Sequence, residues 1–263
     1  MIRFSKYIWL YMILSALVLV PGMYALIRWG VKPAIDFTGG TLIEVRTNNP
    51  PQGASVQKTS NDTYVVRLQD ETATVAGEIL RKETIGPVLG SELLKKTVTA
   101  ALIAIMAILL YVAYAFKNIK FGVSAIIALI HDLLVVVGCF ALFGHFFGAE
   151  VDTLFVTAFL TTMSFSVHDT IVVFDRIREM LKRGDKLPFD ALCDKAMTET
   201  IGRSTANSFT IIFMLLALTL LGGETIRWFV IALLIGTISG TYSSPFVATP
   251  VLILWDRWEK RKK

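Results

Sequence analysis

Six stretches of predominantly apolar residues, each long enough to cross a bilayer, govern what this 263-residue chain can become. A spanning helix needs about 20 such residues, and they fall at 8–27, 97–116, 121–143, 153–175, 204–221 and 228–254. Together they take up roughly 120 residues, which excludes both a large soluble catalytic domain and a twelve-helix transporter in one chain. The remainder divides into a polar insert at 28–96, a charged loop at 176–203 and a basic tail at 255–263. The expected architecture is a mainly α membrane protein. Its N-terminus and first helix occupy 1–27, a small α+β domain 28–96, and helices two to six 97–254. The first apolar run is too long for a signal-peptide core, and no small-x-small site follows before Arg28, so a retained helix is expected.

The net charge of +5 is a topology signal rather than a nucleic-acid footprint. Arg3, Lys6, Lys117, Lys120, the basic residues of 176–203 and the tail from Arg257 to Lys263 all fall on one side of the six spans. The two short loops opposite, 144–152 and 222–227, contain only Arg227. Short basic loops stay cytoplasmic, while long segments translocate largely regardless of charge. Both termini are therefore expected in the cytoplasm and the insert outside it, with the lipid bilayer and not nucleic acid as the surrounding partner. Cys139 lies inside a span and Cys193 in the charged loop, so no disulfide is implied.

Within the insert, Thr41–Arg46 alternates and is β-branched, which predicts a strand with one buried face. Asn48–Gly53 is a turn cluster, Thr63–Leu68 reads as a second strand, and 71–82 as a short helix capped by Asp70. A last strand is expected near Thr84–Leu89, interrupted by Gly86-Pro87, with Ser91 capping the helix that runs into the second span.

The spans carry polar residues in order. In the fourth, Thr157, Thr161, Ser164, His168 and Asp175 recur at helical steps, with Thr162, Ser166 and Asp169 on the adjoining stripe, so this face meets protein or water rather than lipid. In the sixth, Gly236, Gly240 and Ser244 are spaced for close approach of two helix backbones. Pro245 and Pro250 are expected to kink its end.

Ionisable groups inside the spans are His131-Asp132, His168-Asp169 and, leading into the fifth, Arg203. A charge at a helix centre costs about 2.5–3.5 kcal/mol on insertion scales, so such groups pair or function. Counted from the insert-side boundary, Gly148 to His131 and Asp152 to Asp169 are each about 26 Å. Gly222 to Arg203 is about 28 Å and Arg227 to Ser243 about 24 Å. Four helices thus bring polar groups to one level. The chemistry this suits is proton transfer, with Asp169 the carrier, Arg203 a permanent counter-charge, and His168, His131 and Asp132 candidate relay members. A nearby arginine favours an ionised acid and desolvation a neutral one, so moving one helix can switch proton affinity. The same residues also suit a purely structural Asp–Arg pair with packed histidines. No metal-ligand spacing, nucleophile elbow or phosphate loop is present, so neither an enzyme nor a cofactor is expected, with protons as the only coupling ion.

The chain resembles the SecD/SecF family of protein-export membrane proteins, in its SecF branch. The resemblance rests on Ile35-Asp36-Phe37-Thr38-Gly39-Gly40, Gly86-Pro87, the run from His168 to Glu179, Thr200–Ser204, and Gly240-Thr241-Tyr242-Ser243-Ser244. It implies a six-helix RND-type bundle with a ferredoxin-like outer domain in the bacterial cytoplasmic (inner) membrane. It also implies pairing with SecD beside the SecYEG translocon, with YajC a further candidate partner, and proton-driven movement of a preprotein. The family's intramembrane acid falls on Asp169 and its arginine on Arg203. His168 stands where relatives usually have Asn, and the short insert points to a reduced ferredoxin-like domain. The alternatives are a half-transporter of the same superfamily for a lipid or small hydrophobic molecule, and a passive scaffold of the translocon.

Overall fold

The computed structural model describes residues 3–47, 55–60, 62–68, 75–116, 118–184 and 186–262. Among these described residues run six helices long and apolar enough to cross a membrane. A 3₁₀ turn, Phe4–Tyr7, leads into α1 (Ile8–Trp29), and a helical turn α2 (Ile35–Thr38) opens the insert. The strands β1 (Gly40–Arg46), β2 (Ser55–Ser60), β3 (Thr63–Leu68) and β4 (Glu78–Ile85) follow. Then come α3 (Pro87–Phe116), α4 (Ile119–Phe147), α5 (Thr153–Arg183), α6 (Phe189–Leu221) and α7 (Glu224–Ser243). A π-helical turn, Ser244–Ala248, joins α7 to α8 (Thr249–Lys262).

The strands form one sheet in the order β2-β3-β1-β4, and every pairing is antiparallel. Ile43, Val45 and Val66 make its small buried face, as the alternation of β1 requires. Two expectations fail here. Residues 78–85 are strand, not the second half of a helix over 71–82, because Ile79, Lys82 and Glu83 find partners along β1. The first part of that expected helix, and the turn cluster Asn48–Gly53, lie outside the described residues. The last strand therefore ends at Ile85, and α3 begins at Pro87, four residues before the expected cap at Ser91. Proline suits a first helical position because no N–H is needed there. Among the described residues of 40–85 there is no helix.

The charged segment 176–203 is also not a loop. The fourth span continues as helix to Arg183, Gly184 stops it with φ +77°, and α6 restarts after Pro188. Nothing in 176–183 breaks a helix, and ion pairs reward continuation: Arg176 Nε donates to Glu199 at 2.7 Å across the hairpin, and Arg183 bonds Glu179 one turn back. At this end of the bundle Ser5 donates its N–H and hydroxyl to the buried Asp194 carboxylate at 2.8 and 2.7 Å, fastening the N-terminus to α6.

Close helix approaches set the bundle. A Cβ on Gly236 would lie 2.2 Å from Thr162 Cγ2, and one on Gly240 3.1 Å from Ser166 Cβ, so α5 and α7 meet at the spaced glycines. Gly22 and Gly138 make a second such crossing between α1 and α4, which no sequence spacing announces. The expected kink takes the form of the π-turn at Pro245: a proline there cannot donate to the preceding turn, and the wider turn accommodates its ring.

Candidate functional site

The insert is tied to the bundle at the start of α5. Asp36, in the α2 turn, accepts hydrogen bonds from Thr153 N–H at 3.3 Å and from Thr153 Oγ1 at 2.9 Å. Beside it, Ala34 N–H donates to Val151 O at 2.9 Å and Val151 N–H to Lys32 O at 2.7 Å. Gly39 and Gly40, which follow, have φ of +74° and +129°, and a Cβ on Gly40 would meet Leu68 O at 2.8 Å. The glycine pair thus turns the chain sharply from α2 into β1, where a side chain does not fit.

Down the bundle from this joint, α4, α5 and α7 converge on Asp132. Its carboxylate is 5% exposed and accepts from Ser166 Oγ at 2.5 Å, Ser239 Oγ at 2.6 Å and Ser243 Oγ at 2.6 Å. The His131 ring contributes Nδ1 at 3.1 Å, while its Nε2 has no hydrogen-bond partner among the described residues. Three hydroxyl donors satisfy most of the carboxylate's lone pairs and join three helices through one side chain. Ser239 was not singled out from the sequence; its signal is the four-residue spacing to Ser243 on the same helix face. Ser244, adjacent, bonds Thr170 at 2.9 Å.

Asp169 occupies a different setting, one turn beyond Ser166 on α5. It is half-buried and accepts a 2.9 Å hydrogen bond from Ser204 Oγ on α6. Next to it a cavity of about 20 Å3 is lined by Phe165, His168, Asn207, Ser208 and Thr241, among others, room for about one water molecule. His168 is exposed at its rim. Arg203 is also exposed, and among the described residues it makes no ion pair with Asp169. Consecutive helical residues point about 100° apart. With Ser204 facing α5, Arg203 is turned away. The residues brought together are therefore Asp132 with His131, and Asp169 with His168; Arg203 shares their level but not their contact.

Sequence comparison places this arrangement in a known group. The family model "Protein export membrane protein SecD/SecF, C-terminal" matches residues 66–258, and the SecD/SecF GG motif matches 30–51, the stretch holding Asp36, Gly39 and Gly40. The chain belongs to the SecD/SecF family. Its relatives include the protein translocase subunit SecF of Thermobaculum terrenum, 38% identical over 97% of this chain and 94% of its own length. SecF of Anaerolinea thermophila is 37% identical over 96% and 94% respectively. A crystal structure of SecDF from Thermus thermophilus, described as a translocon-associated membrane protein, superimposes with a TM-score of 0.86 at 29% identity and covers 97% of this chain. This chain spans 39% of that longer one. Membership, the six apolar helices and the near full-length match to SecF proteins make this a multi-pass membrane protein with a SecF-type role in protein translocation.

Proposed function

We propose that this SecF-type chain couples inward proton movement to preprotein translocation, with Asp169 as the group that takes up and releases the proton. The observation that carries the reading is the contrast between the two intramembrane acids. Asp132 is enclosed by three serine hydroxyls and holds helices together, whereas Asp169 is met, among the described residues, only from α6, by Ser204 with Ser208 close by, and has a water-sized cavity at its side. An acid that must change protonation needs access and a replaceable neighbour. Asp169 has both.

Arg203 supplies the replacement. A turn of α6 that brought Arg203 to the carboxylate in place of Ser204 would favour the ionised acid and expel its proton. His168, at the cavity rim, is the exchange partner toward water; His131 and Asp132 serve as the fixed anchor one turn away, held to α5 through Ser166. Because α5 also begins at Thr153, held by Asp36, any shift of this helix reaches the insert, about 24 Å away along the axis.

The assembly supporting this work is a SecD partner, as in the fused SecDF relative of Thermus thermophilus, with SecYEG and YajC as neighbours. The basic residues at the α5–α6 hairpin and in the last turns of α8 favour a cytoplasmic location of both termini in the bacterial inner membrane. The energetics suffice: one charge crossing 100 mV releases about 2.3 kcal/mol.

The test is preprotein release from proteoliposomes holding the chain, SecD and the translocon, with and without an imposed proton gradient. Release accelerated by the gradient only when this chain is present is expected. Equal release with the gradient collapsed makes the chain a passive scaffold.

A further inference from the structure

At the insert-side end of α1 and α4 lies a cleft unrelated to the acids. Arg28, Trp29, Lys32, Gly144 and His145 line it, and its volume is about 470 Å3. The Trp29 and His145 rings stack at 3.9 Å with an interplanar angle of 1°, fastening the two helix ends together. Lys32 O accepts from Val151 N–H, and Gly144 lets the Lys32 stem approach α4.

Its charge is unbalanced. Arg28 and Lys32 are exposed and have no carboxylate partner among the described residues. Of the acids on neighbouring elements, Asp36 accepts from Thr153 and Asp152 from the Phe155 N–H at 2.6 Å, and neither they nor Glu150 pairs with Arg28 or Lys32 among the described residues. On the membrane side, Tyr24, Ile27 and Phe146 are 62%, 81% and 64% exposed, and Tyr24 and Phe146 both meet Trp29 edge-on with centroids 6.0 Å apart. Two unpaired cations above a skirt of exposed aromatic and aliphatic side chains mark the level where headgroups meet hydrocarbon.

We propose that this cleft seats the phosphate of an anionic phospholipid from the leaflet on the insert side. Arg28 and Lys32 hold the phosphodiester, the His145 ring edge offers an N–H, and the acyl chains lie along Tyr24, Ile27 and Phe146. Arginine's planar fork suits two phosphate oxygens, and the lysine adds a point charge. The lipid would brace the joint between α1 and the insert.

Native mass spectrometry of the chain in complex with SecD, purified from nanodiscs of mixed phosphatidylglycerol and phosphatidylcholine, reads this directly. Wild type is expected to retain phosphatidylglycerol preferentially. The double variant Arg28→Gln/Lys32→Gln is expected to lower that preference about 30-fold, at roughly one kcal/mol per cation. The charge-preserving pair Arg28→Lys/Lys32→Arg should restore most of it, and Lys95→Gln/Lys96→Gln, which removes equal charge at the start of α3, should leave it unchanged. Equal retention of both lipids by wild type overturns the proposal, as does equal loss in the Lys95/Lys96 control. So does a complex without retained lipid in which SecD protects the cleft from hydrogen exchange.

Discussion

Ser204 Oγ on α6 lies 2.9 Å from the carboxylate of Asp169 on α5, so the residue that meets the half-buried acid is the neighbour of Arg203 and not Arg203 itself. One helical step separates a neutral donor from a permanent cation at the same level. A bundle that can exchange the two has the makings of a switch, and the stability of the rest of the bundle then matters, because the switch needs a fixed frame.

Asp132 is part of that frame. Asp132→Ala would leave Ser166, Ser239 and Ser243 without their shared acceptor in the interior. A buried donor left unsatisfied costs about 1–3 kcal/mol, so stranding these hydroxyls is expected to destabilise the fold by at least that much. Denaturant unfolding in detergent should show it as a large fall in midpoint, whereas Asp169→Asn should unfold close to wild type.

The α5–α7 crossing gives a graded prediction. Gly236→Ala forces a methyl to within 2.2 Å of Thr162 Cγ2, while Gly240→Ala brings one to 3.1 Å of Ser166 Cβ. Overpacking typically costs about 1–3 kcal/mol, so thermal unfolding should place Gly236→Ala below both wild type and Gly240→Ala.

Much of this frame was legible beforehand. The six spans follow from runs of apolar residues, β1 from alternation, and β3 from the strand-forming run Thr63–Leu68. What the sequence could not supply was azimuth. Counting residues put Asp169, Arg203 and Asp132 at one depth, but only packing decides which faces which, and it gave Asp169 to Ser204 and Asp132 to three serines. The strand β2, Ser-Val-Gln-Lys-Thr-Ser, has too few apolar residues for a signal of its own and exists through pairing with β3. The density of charge in 176–203 suggests a loop, but 176–183 contains no helix breaker, and its ion pairs let the helix continue to Arg183.

Asp152 predicts a pH dependence. Burial, with Asp36 nearby, pushes its carboxyl above the usual carboxylate range despite the Phe155 N–H bond that favours ionisation. A folded-state pKa above the unfolded one means the fold prefers the protonated acid. That contribution is fully present below the unfolded value and is lost as pH rises through the folded value. Asp152→Asn keeps a capping oxygen without the charge. It should unfold at a higher temperature than wild type at neutral pH, with the difference vanishing in acid.

The joint between Asp36 and Thr153 should separate proton movement from mechanical output. Asp36→Asn weakens an ionic acceptor of two hydrogen bonds without touching the intramembrane acids. Proton flux through the complex with SecD is expected to persist, while gradient-driven preprotein release falls several-fold, about the effect of losing roughly 1 kcal/mol of coupling. Parallel loss of both would place Asp36 in the general folding of the insert instead.

The central claim rests on Asp169, and the most direct measurement is proton flux into proteoliposomes carrying the chain with SecD, followed by a pH-sensitive dye under an imposed membrane potential. Wild type should conduct protons, and Asp169→Asn, assembled to the same extent, should fall to the rate of empty vesicles. Wild-type flux through assembled Asp169→Asn would contradict the account.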